Sequence, residues 1–469
     1  MAGQTNHVSR GRLLLYASGS LATALSYQAF STYIQFLYID ILGLRAAWVG
    51  TVWSLYGLWN AVNDPLAGYW SDRTRTRWGR RIPWMVGLFI PLSITFYLLW
   101  TPPAGAADLS LLWYFLFFVL AFDLTWTIVV MNWTALFPEM VPEEKQRATI
   151  SAWRQVFSLV GLLVGVALPP LLVGEDWSGR GTMALLFAVI TAVFFGLSIL
   201  GSKERPEFSH DQALPLKAAL RATFTNRDFV YFLGVNLMIQ FVFLALTSTV
   251  PFYAKYVLRI QGPVAAGGIT LDVGLQNSLL LAVPFVIALP AMGIWTAVAH
   301  RLGAWRTLRV ACLAGAASLL LFFWPHDFWT GVTATGIFGL TLAGLLMLTD
   351  LLVADVVDAD ELVTGARREG LYFGMNGLVI RLAYTIQGLI TGAVLTVTGY
   401  VAPAATTLYP EQPTAALNGI RLMIAGIPTL AMFMAFLLLR GYRLHGRRLT
   451  AVQAEVAALH AVKLGEERG

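Results

Sequence analysis

Long apolar runs separated by short polar breaks make up most of this chain. Reading them one after another gives twelve expected spans. They lie near 13–40, 46–71, 83–101, 110–137, 148–174 and 182–201, then 228–257, 275–298, 307–324, 330–354, 370–398 and 417–440. About 20 apolar residues cross a bilayer as helix, so the pattern predicts an all-α membrane protein with twelve transmembrane helices. Many runs are longer than that, which permits tilt without fixing an angle. The first run follows a short polar head and has no small-residue cleavage site. It reads as a retained span, not a signal peptide.

The most polar long break before the tail, "SKERPEFSHDQALPLKAALRATFTNRD", divides the spans six and six. The predicted organisation is an N-terminal six-helix bundle over 1–202, a cytoplasmic linker over 203–227, a C-terminal six-helix bundle over 228–440 and a cytoplasmic tail over 441–469. The halves echo each other. Pro65, Gly68 and Trp70 match Pro290, Gly293 and Trp295 at one constant offset, each set closing the second span of its half. Duplication of this kind marks transporters whose site lies at the membrane midplane between the halves. The tail, "RLTAVQAEVAALHAVKLGEERG", has apolar residues at helical spacing and reads as an amphipathic helix.

Composition agrees. The chain is 57% hydrophobic and 12% charged, against about 25% charged in soluble domains. The net charge of +6 does not signal nucleic-acid binding, because membrane topology accounts for where the basic residues sit. Of the 32 Lys and Arg residues, only Arg45, Arg180, Lys255 and Arg259 fall on the outer side when both termini are cytoplasmic, and Arg154, Arg381 and Arg421 lie in spans or at a span start. The expected location is the plasma (inner) membrane, multi-pass, with both ends inside. The single cysteine, Cys312, excludes an internal disulfide and any multi-thiolate metal site.

Against this apolar background the polar positions stand out. Asn60, Asn63 and Asp64 in "WNAVNDPLAGYW" share one face of a helix. A carboxylate at membrane depth costs roughly 2.5–3.5 kcal/mol and is by default a functional residue. Together with the two amides, Asp64 could hold a small hard cation or a proton; a structural cap near the basic turn is the plainer alternative. Arg381 in "GMNGLVIRLAYTIQG" is the expected charge partner, with Asn376 and Tyr384 close to it along the helix. Arg154 either lines the cavity or sits at the interface. Asp123 and Asp350 read as further buried acids. Tyr27, Tyr56, Trp126 and Trp133 lie in spans that could face a solute, although most aromatics of such a chain are lipid-facing or core residues.

All six histidines fall in tails or at span ends, so no Ser/His/Asp set or histidine metal cluster is expected at membrane depth. No Walker-type glycine-rich loop appears, which leaves an ATP-driven pump without an engine. Neither an enzyme nor a cofactor is expected. A channel or uncoupled facilitator is the rival class, since pores also use buried acids.

Three separated motifs, "NDPLAGYWSDRTRTRWGRRIPW", "ALFPEMVPEEKQR" and "VADVVDADELVTGARREGLYFGMNGLVIR", resemble the glycoside–pentoside–hexuronide:cation symporters, the melibiose-carrier family within the major facilitator superfamily. The resemblance covers essentially the whole chain. It implies two six-helix bundles, alternating access and cation-coupled uptake. It places Asp64 and Asn63 at the family's cation site, Arg381 at a lysine position near it and Arg154 at a sugar-contacting arginine. It also shows departures. Asn60 stands where the melibiose carrier has a second carboxylate, while Ala24 and about Val130 stand where that carrier has its sugar-binding acids. A melibiose-like galactoside is therefore not the expected solute.

The resulting expectation is a monomeric secondary transporter in the lipid bilayer that carries a sugar or glycoside with H+, which is preferred over Na+ because one carboxyl suffices for a proton. Lysophospholipid or another amphiphile is the alternative solute within the same family. The substrate-binding set is Arg154, Asp123, Trp126, Trp133, Tyr27, Asn376 and Tyr384. The cation set is Asp64, Asn63 and Asn60. An inward-side gate is expected from Arg73 and Arg77 with Asp355 and Asp358.

Overall fold

A computed structural model describes residues 9–141, 144–204, 225–364, 369–403 and 407–466. Most of the expected linker, residues 205–224, lies outside this set. The chain forms helices α1 (Arg10–Phe36), α2 (Ala46–Arg73), α3 (Ile82–Trp100), α4 (Asp108–Met140), α5 (Glu144–Ala167) and α6 (Arg180–Gly201) in its first half. The second half has α7 (Arg227–Phe252), α8 (Val273–Leu302), α9 (Ala304–Leu320), α10 (Phe328–Thr364), α11 (Glu369–Val397) and α12 (Thr414–Leu438), followed by α13 (Gly446–Glu466). The described chain divides into two units. One comprises Met1–Ala213, Gln261–Leu279 and Tyr400–Glu411; the other comprises Leu214–Ile260, Leu280–Gly399 and Gln412–Gly469.

Among the described residues, ten helices are long and apolar enough to cross a membrane, against the twelve expected spans. The two left out are α1 and α2, and the reason is chemical. α1 buries Ser18, Ser20, Ser26, Ser31, Thr32 and Gln35, and α2 buries Asn60, Asn63 and Ser71. The fifth expected span is interrupted as well. α5 stops at Ala167, and Pro169 and Pro170 begin a separate short turn of helix, since a proline has no backbone N–H to continue the ladder and its ring crowds the carbonyl four residues back. α1 and α7 each run on into one π-helical turn, Leu37–Ile41 and Tyr253–Val257, at matching places in the two halves. A two-stranded antiparallel hairpin, β1 (Val264–Ala266) and β2 (Ile269–Leu271), precedes α8. Its loop is Gly267–Gly268, both at positive φ, as such tight turns require.

In the first unit α1 packs on α5 and α6, α3 on α4 and α6, and α2 on α4. Helix association in lipid depends on close packing and interhelical hydrogen bonds, because lipid is as apolar as the side chains. The α1–α5 contact uses small residues. A Cβ placed on Gly161 would stand 2.4 Å from the Leu21 carbonyl oxygen, and one on Gly165 2.7 Å from that of Leu25. These glycines are four apart on one face of α5, so the two backbones meet along a glycine groove. In the second unit α7 packs on α11 and α12, and α9 on α10 and α12.

The amphipathic tail helix is present as α13 and lies against α10. Two contacts dock the segment that leads into it. The Arg443 backbone N–H donates to Asp228 at the start of α7, at 2.6 Å. The His445 ring stacks on Trp305 with centroids 3.9 Å apart. Partial burial, and then the charges of Arg306 and Arg309, hold the His445 pKa below its ordinary value, while Asp228 pulls the other way.

Two outcomes follow from this packing. Gly161→Val should destabilise the protein by about 2 kcal/mol through overpacking, read as a lower Tm in detergent. Gly87→Ala, on α3 with nothing within 4 Å of the added carbon, should leave the Tm unchanged or slightly higher. For His445, a lowered folded pKa means stability that is full above the imidazole's ordinary pKa of about 6.5 and is lost as pH falls through and below it. The hydrogen-exchange protection factors of α13 should therefore fall on acidification, and His445→Gln should flatten that dependence.

Candidate functional site

The polar face of α2 is tied to α4. Tyr56 and Asn63 are seven residues apart, two helical turns, so they project to one side. Tyr56 donates its hydroxyl to Asp123 Oδ1 at 3.1 Å, and Asn63 Nδ2 donates to Asp123 Oδ2 at 2.8 Å. Asp123 and Asn63 are both 0% exposed. On the α1 side the Tyr27 hydroxyl lies 2.9 Å from that of Tyr56, and the Tyr27 ring packs at a tilt against Trp126, with centroids 4.4 Å apart. Asn60 is enclosed too, with Nδ2 donating to the Tyr56 carbonyl at 2.9 Å. Asp64 is half-buried, beside Asn63 in the chain. The Oδ1 of Asn63 is an enclosed acceptor that no hydrogen bond reaches. Phe30, Trp53 and Phe122 close around Tyr56 as an aromatic wall.

A second cluster lies on α1, α4, α5 and α6. Tyr16 donates its hydroxyl to the Trp133 carbonyl at 2.5 Å, and Trp133 Nε1 donates back to the Tyr16 carbonyl at 3.2 Å. Ser198 adds a bond to the same Tyr16 carbonyl. Arg154 lies over this platform, with Cζ 4.4 Å from the Trp133 ring centroid and 4.6 Å from that of Phe137. Its Nε is enclosed without a hydrogen-bond partner. Trp133 is thus a supporting platform, 2% exposed, and Arg154 the polar group it presents.

Arg381, Asn376 and Tyr384 lie on α11 in the second unit, whereas Asp64 belongs to the first. Asn376 Oδ1 accepts from Asn236 Nδ2 on α7 at 2.6 Å. Tyr384 is 9% exposed and Arg381 half-buried. One turn beyond, Gln387 Nε2 donates to Ser248 on α7 and to Thr391. Asn236, Ser248 and Gln387 were not singled out in the sequence. Their signal was present, as polar residues inside otherwise apolar spans. Asp350, expected to be buried, is exposed on α10, whereas Leu348, Thr349 and Leu352 beside it are buried.

Among the gate residues, Arg73 ends α2 and is exposed. Arg77 is exposed and lies over Trp78 at 5.3 Å. Asp355 and Asp358 are half-buried on α10, and Asp355 accepts from Gln453 of α13 at 3.5 Å. Glu204, at the beginning of the linker, holds the basic turn. It accepts the backbone N–H groups of Arg80 at 2.8 Å, Arg81 at 3.0 Å and Ile82 at 3.5 Å, which caps α3. Gly79 beside it has φ +103, and a Cβ there would stand 2.2 Å from Glu204 Oε2. Neither Glu204 nor Gly79 was expected from sequence. The capping residue is more than 120 positions from the turn it holds.

The family profile of the MFS/sugar transport proteins matches residues 15–446, nearly the full chain. The chain belongs to this family. Its members are transporters, not enzymes, and the protein is a multi-pass integral membrane protein. Relatives include an isoprimeverose transporter of Lactiplantibacillus pentosus, 26% identical over 439 residues, covering 91% of this chain and 87% of that one. A glucuronide carrier protein homolog of Escherichia coli (strain K12) is 24% identical over 450 residues, covering 94% of each. Among solved structures, the nucleoside transporter NupG superposes with a TM-score of 0.65 at 14% identity, over 93% of this chain and 100% of that one. That likeness shows the major facilitator fold.

The Glu204 cap predicts its own outcome. Glu204→Ala leaves three helix-start N–H groups without their carboxylate. It should cost about 1 kcal/mol, seen as a lower Tm and faster hydrogen exchange over the turn at 74–82.

Proposed function

We propose that this family member is a proton-coupled symporter of a sugar or glycoside that works by alternating access, with Asp64 carrying the ion. The observation behind the reading is Asn63. Its amide is fixed on Asp123, and its carbonyl oxygen is left as an enclosed acceptor next to Asp64. A buried acceptor without a donor costs about 1–3 kcal/mol, and a bound cation satisfies it. The α2 face supplies one carboxylate, since position 60 is a neutral asparagine whose amide is turned onto its own helix. Hard-cation affinity rises with ligand charge, whereas a proton needs a single carboxyl, so the proton is the preferred ion. Orientation with both termini inside follows from the distribution of Lys and Arg.

The solute class rests on the relatives, one named for isoprimeverose and one for a glucuronide. The Tyr27–Trp126 pair and the Arg154 guanidinium supply an aromatic face and a donor, the groups that hold a sugar ring and its oxygens.

Uptake into proteoliposomes tests the proposal, with isoprimeverose, methyl glucuronide, melibiose and lysophosphatidylcholine as probes. An inside-alkaline pH gradient without sodium should drive accumulation of isoprimeverose or methyl glucuronide. A protonophore should collapse it, and Asp64→Asn should reduce it at least about tenfold, one unit of transition-state or binding discrimination. A strict requirement for sodium would overturn the choice of ion. Accumulation of the lysolipid in place of the sugars would overturn the solute class.

A further inference from the structure

Arg309 on α9 and Arg440, just past the end of α12, share one aromatic ring. The guanidinium carbon of Arg309 lies 4.7 Å from the Phe436 centroid and 4.8 Å from that of Trp305, and the guanidinium carbon of Arg440 lies 5.6 Å from that of Phe436. All four residues belong to the second unit. Trp305 ties the two helix ends together, with Nε1 donating to the Leu439 carbonyl at 2.8 Å. The apolar span of α9 begins at Ala304, which puts Arg309 about 7 Å along the helix from its start. An arginine there keeps its charge. Snorkelling would carry its head out to water, yet Nε is enclosed with no hydrogen-bond partner and the group is held by two rings. Rings cover the flat faces of a guanidinium and leave its in-plane N–H groups to be met by something else. Among the described residues no carboxylate pairs with either guanidinium.

The surroundings are basic. Arg301 and Arg306 are exposed on either side of the turn at Gly303. Asp228 already accepts the Arg443 backbone N–H and lies 3.5 Å from Arg448. His445, stacked on Trp305, is held below its ordinary pKa by partial burial and then by Arg306 and Arg309, which is the mark of a positive field. Farther into the spans, Leu313 lies one turn beyond Arg309, and Phe433 stacks on Phe436; both are exposed. Any bilayer-facing helix carries such apolar residues. Here they continue directly from two guanidiniums.

We propose that Arg309 and Arg440 bind the phosphate of an anionic phospholipid, whose headgroup sits at the basic end of the α9–α12 edge and whose acyl chain follows Leu313 and Phe433. A guanidinium takes phosphate oxygens in pairs through its in-plane N–H groups, and basic pockets between transmembrane helices select acidic headgroups. A zwitterionic headgroup brings an ammonium that needs a carboxylate, and Asp228 is engaged elsewhere. Neither the coupling ion nor the solute enters this binding.

Native mass spectrometry of the full-length protein in detergent tests it, by titration with dioleoylphosphatidylglycerol, dioleoylphosphatidylcholine or inorganic phosphate. The wild type should bind the phosphatidylglycerol about fivefold more tightly than the phosphatidylcholine. Arg309→Gln and Arg440→Gln should each erase most of that preference. Arg10→Gln, which removes the same charge from the start of α1 in the other unit, should keep it. Equal binding of the two lipids by the wild type would overturn the inference, as would an equal loss in Arg10→Gln, which would mean attraction to net charge alone. Displacement of the phosphatidylglycerol by millimolar phosphate would also overturn it, since the site would then take a free anion. A measurement on the wild type covers variants that fail to fold. Phosphatidylglycerol with a photoreactive group near the head of its acyl chain should label α9 around Arg309 and Leu313 and α12 around Phe433 and Phe436. Labelling that spares both helices overturns the inference.

Discussion

The hydrogen bond from Asn63 to Asp123 is the contact on which the site in the first unit depends. It joins α2 to α4 through two side chains that are fully buried. A polar group there must find another polar group, and the penalty for failing exceeds the net worth of an ordinary hydrogen bond. This requirement explains why α1 and α2 are less apolar than α3, α4 and α6. Many of their serines, tyrosines and amides bond their own helix carbonyls or groups on a neighbouring helix, while Asn63 Oδ1 and Thr32 Oγ1 stay unmatched. Ser26 returns to Ala22, Ser71 meets Asn132 on α4, and Tyr33 reaches the Val166 carbonyl on α5. The apolar surface of these helices is reduced because polar pairing takes over part of the association.

The two units use related devices with different residues. Each first helix ends in a π-helical turn. Each has an acidic side chain that accepts backbone N–H from a distant part of the chain: Glu204 holds the start of α3, and Asp228 holds the approach to α13. Asp228 also lies 3.5 Å from Arg448, whose side chain is mostly exposed, so that ion pair adds little. In both cases a carboxylate collects backbone donors at a helix boundary, where the unsatisfied N–H groups and the helix dipole favour negative charge. The polar links between packed helices differ more. In the first unit they run through a carboxylate and tyrosines. In the second they run through amides and hydroxyls, Asn236 to Asn376 and Gln387 to Ser248.

Arg154 shows how aromatic residues serve a charge that stays in the protein. A guanidinium is more weakly hydrated than an ammonium and stacks on aromatic faces. Trp133 and Phe137 take its flat sides, and the reciprocal bonds between Tyr16 and Trp133 hold that platform. Tryptophan 133 therefore contributes by orienting the arginine, not by offering its own ring to solvent.

The spans, the basic turns, the polar face of α2 at positions 60, 63 and 64, and the family motifs were all legible in the sequence, because hydropathy, charge bias and helical spacing are local properties. The glycine pair at 161 and 165 was equally local, and its spacing alone would have marked a close helix contact. Only the tertiary structure decided which polar groups meet. Asp123 read as one acid among several until α4 was placed beside α2, which gave it Tyr56 and Asn63, 67 and 60 residues earlier in the chain. The same holds for Glu204 and for the exposure of Asp350. Partner choice depends on which helices are neighbours and how each is rotated about its axis, and a linear pattern of apolar and polar residues does not encode either.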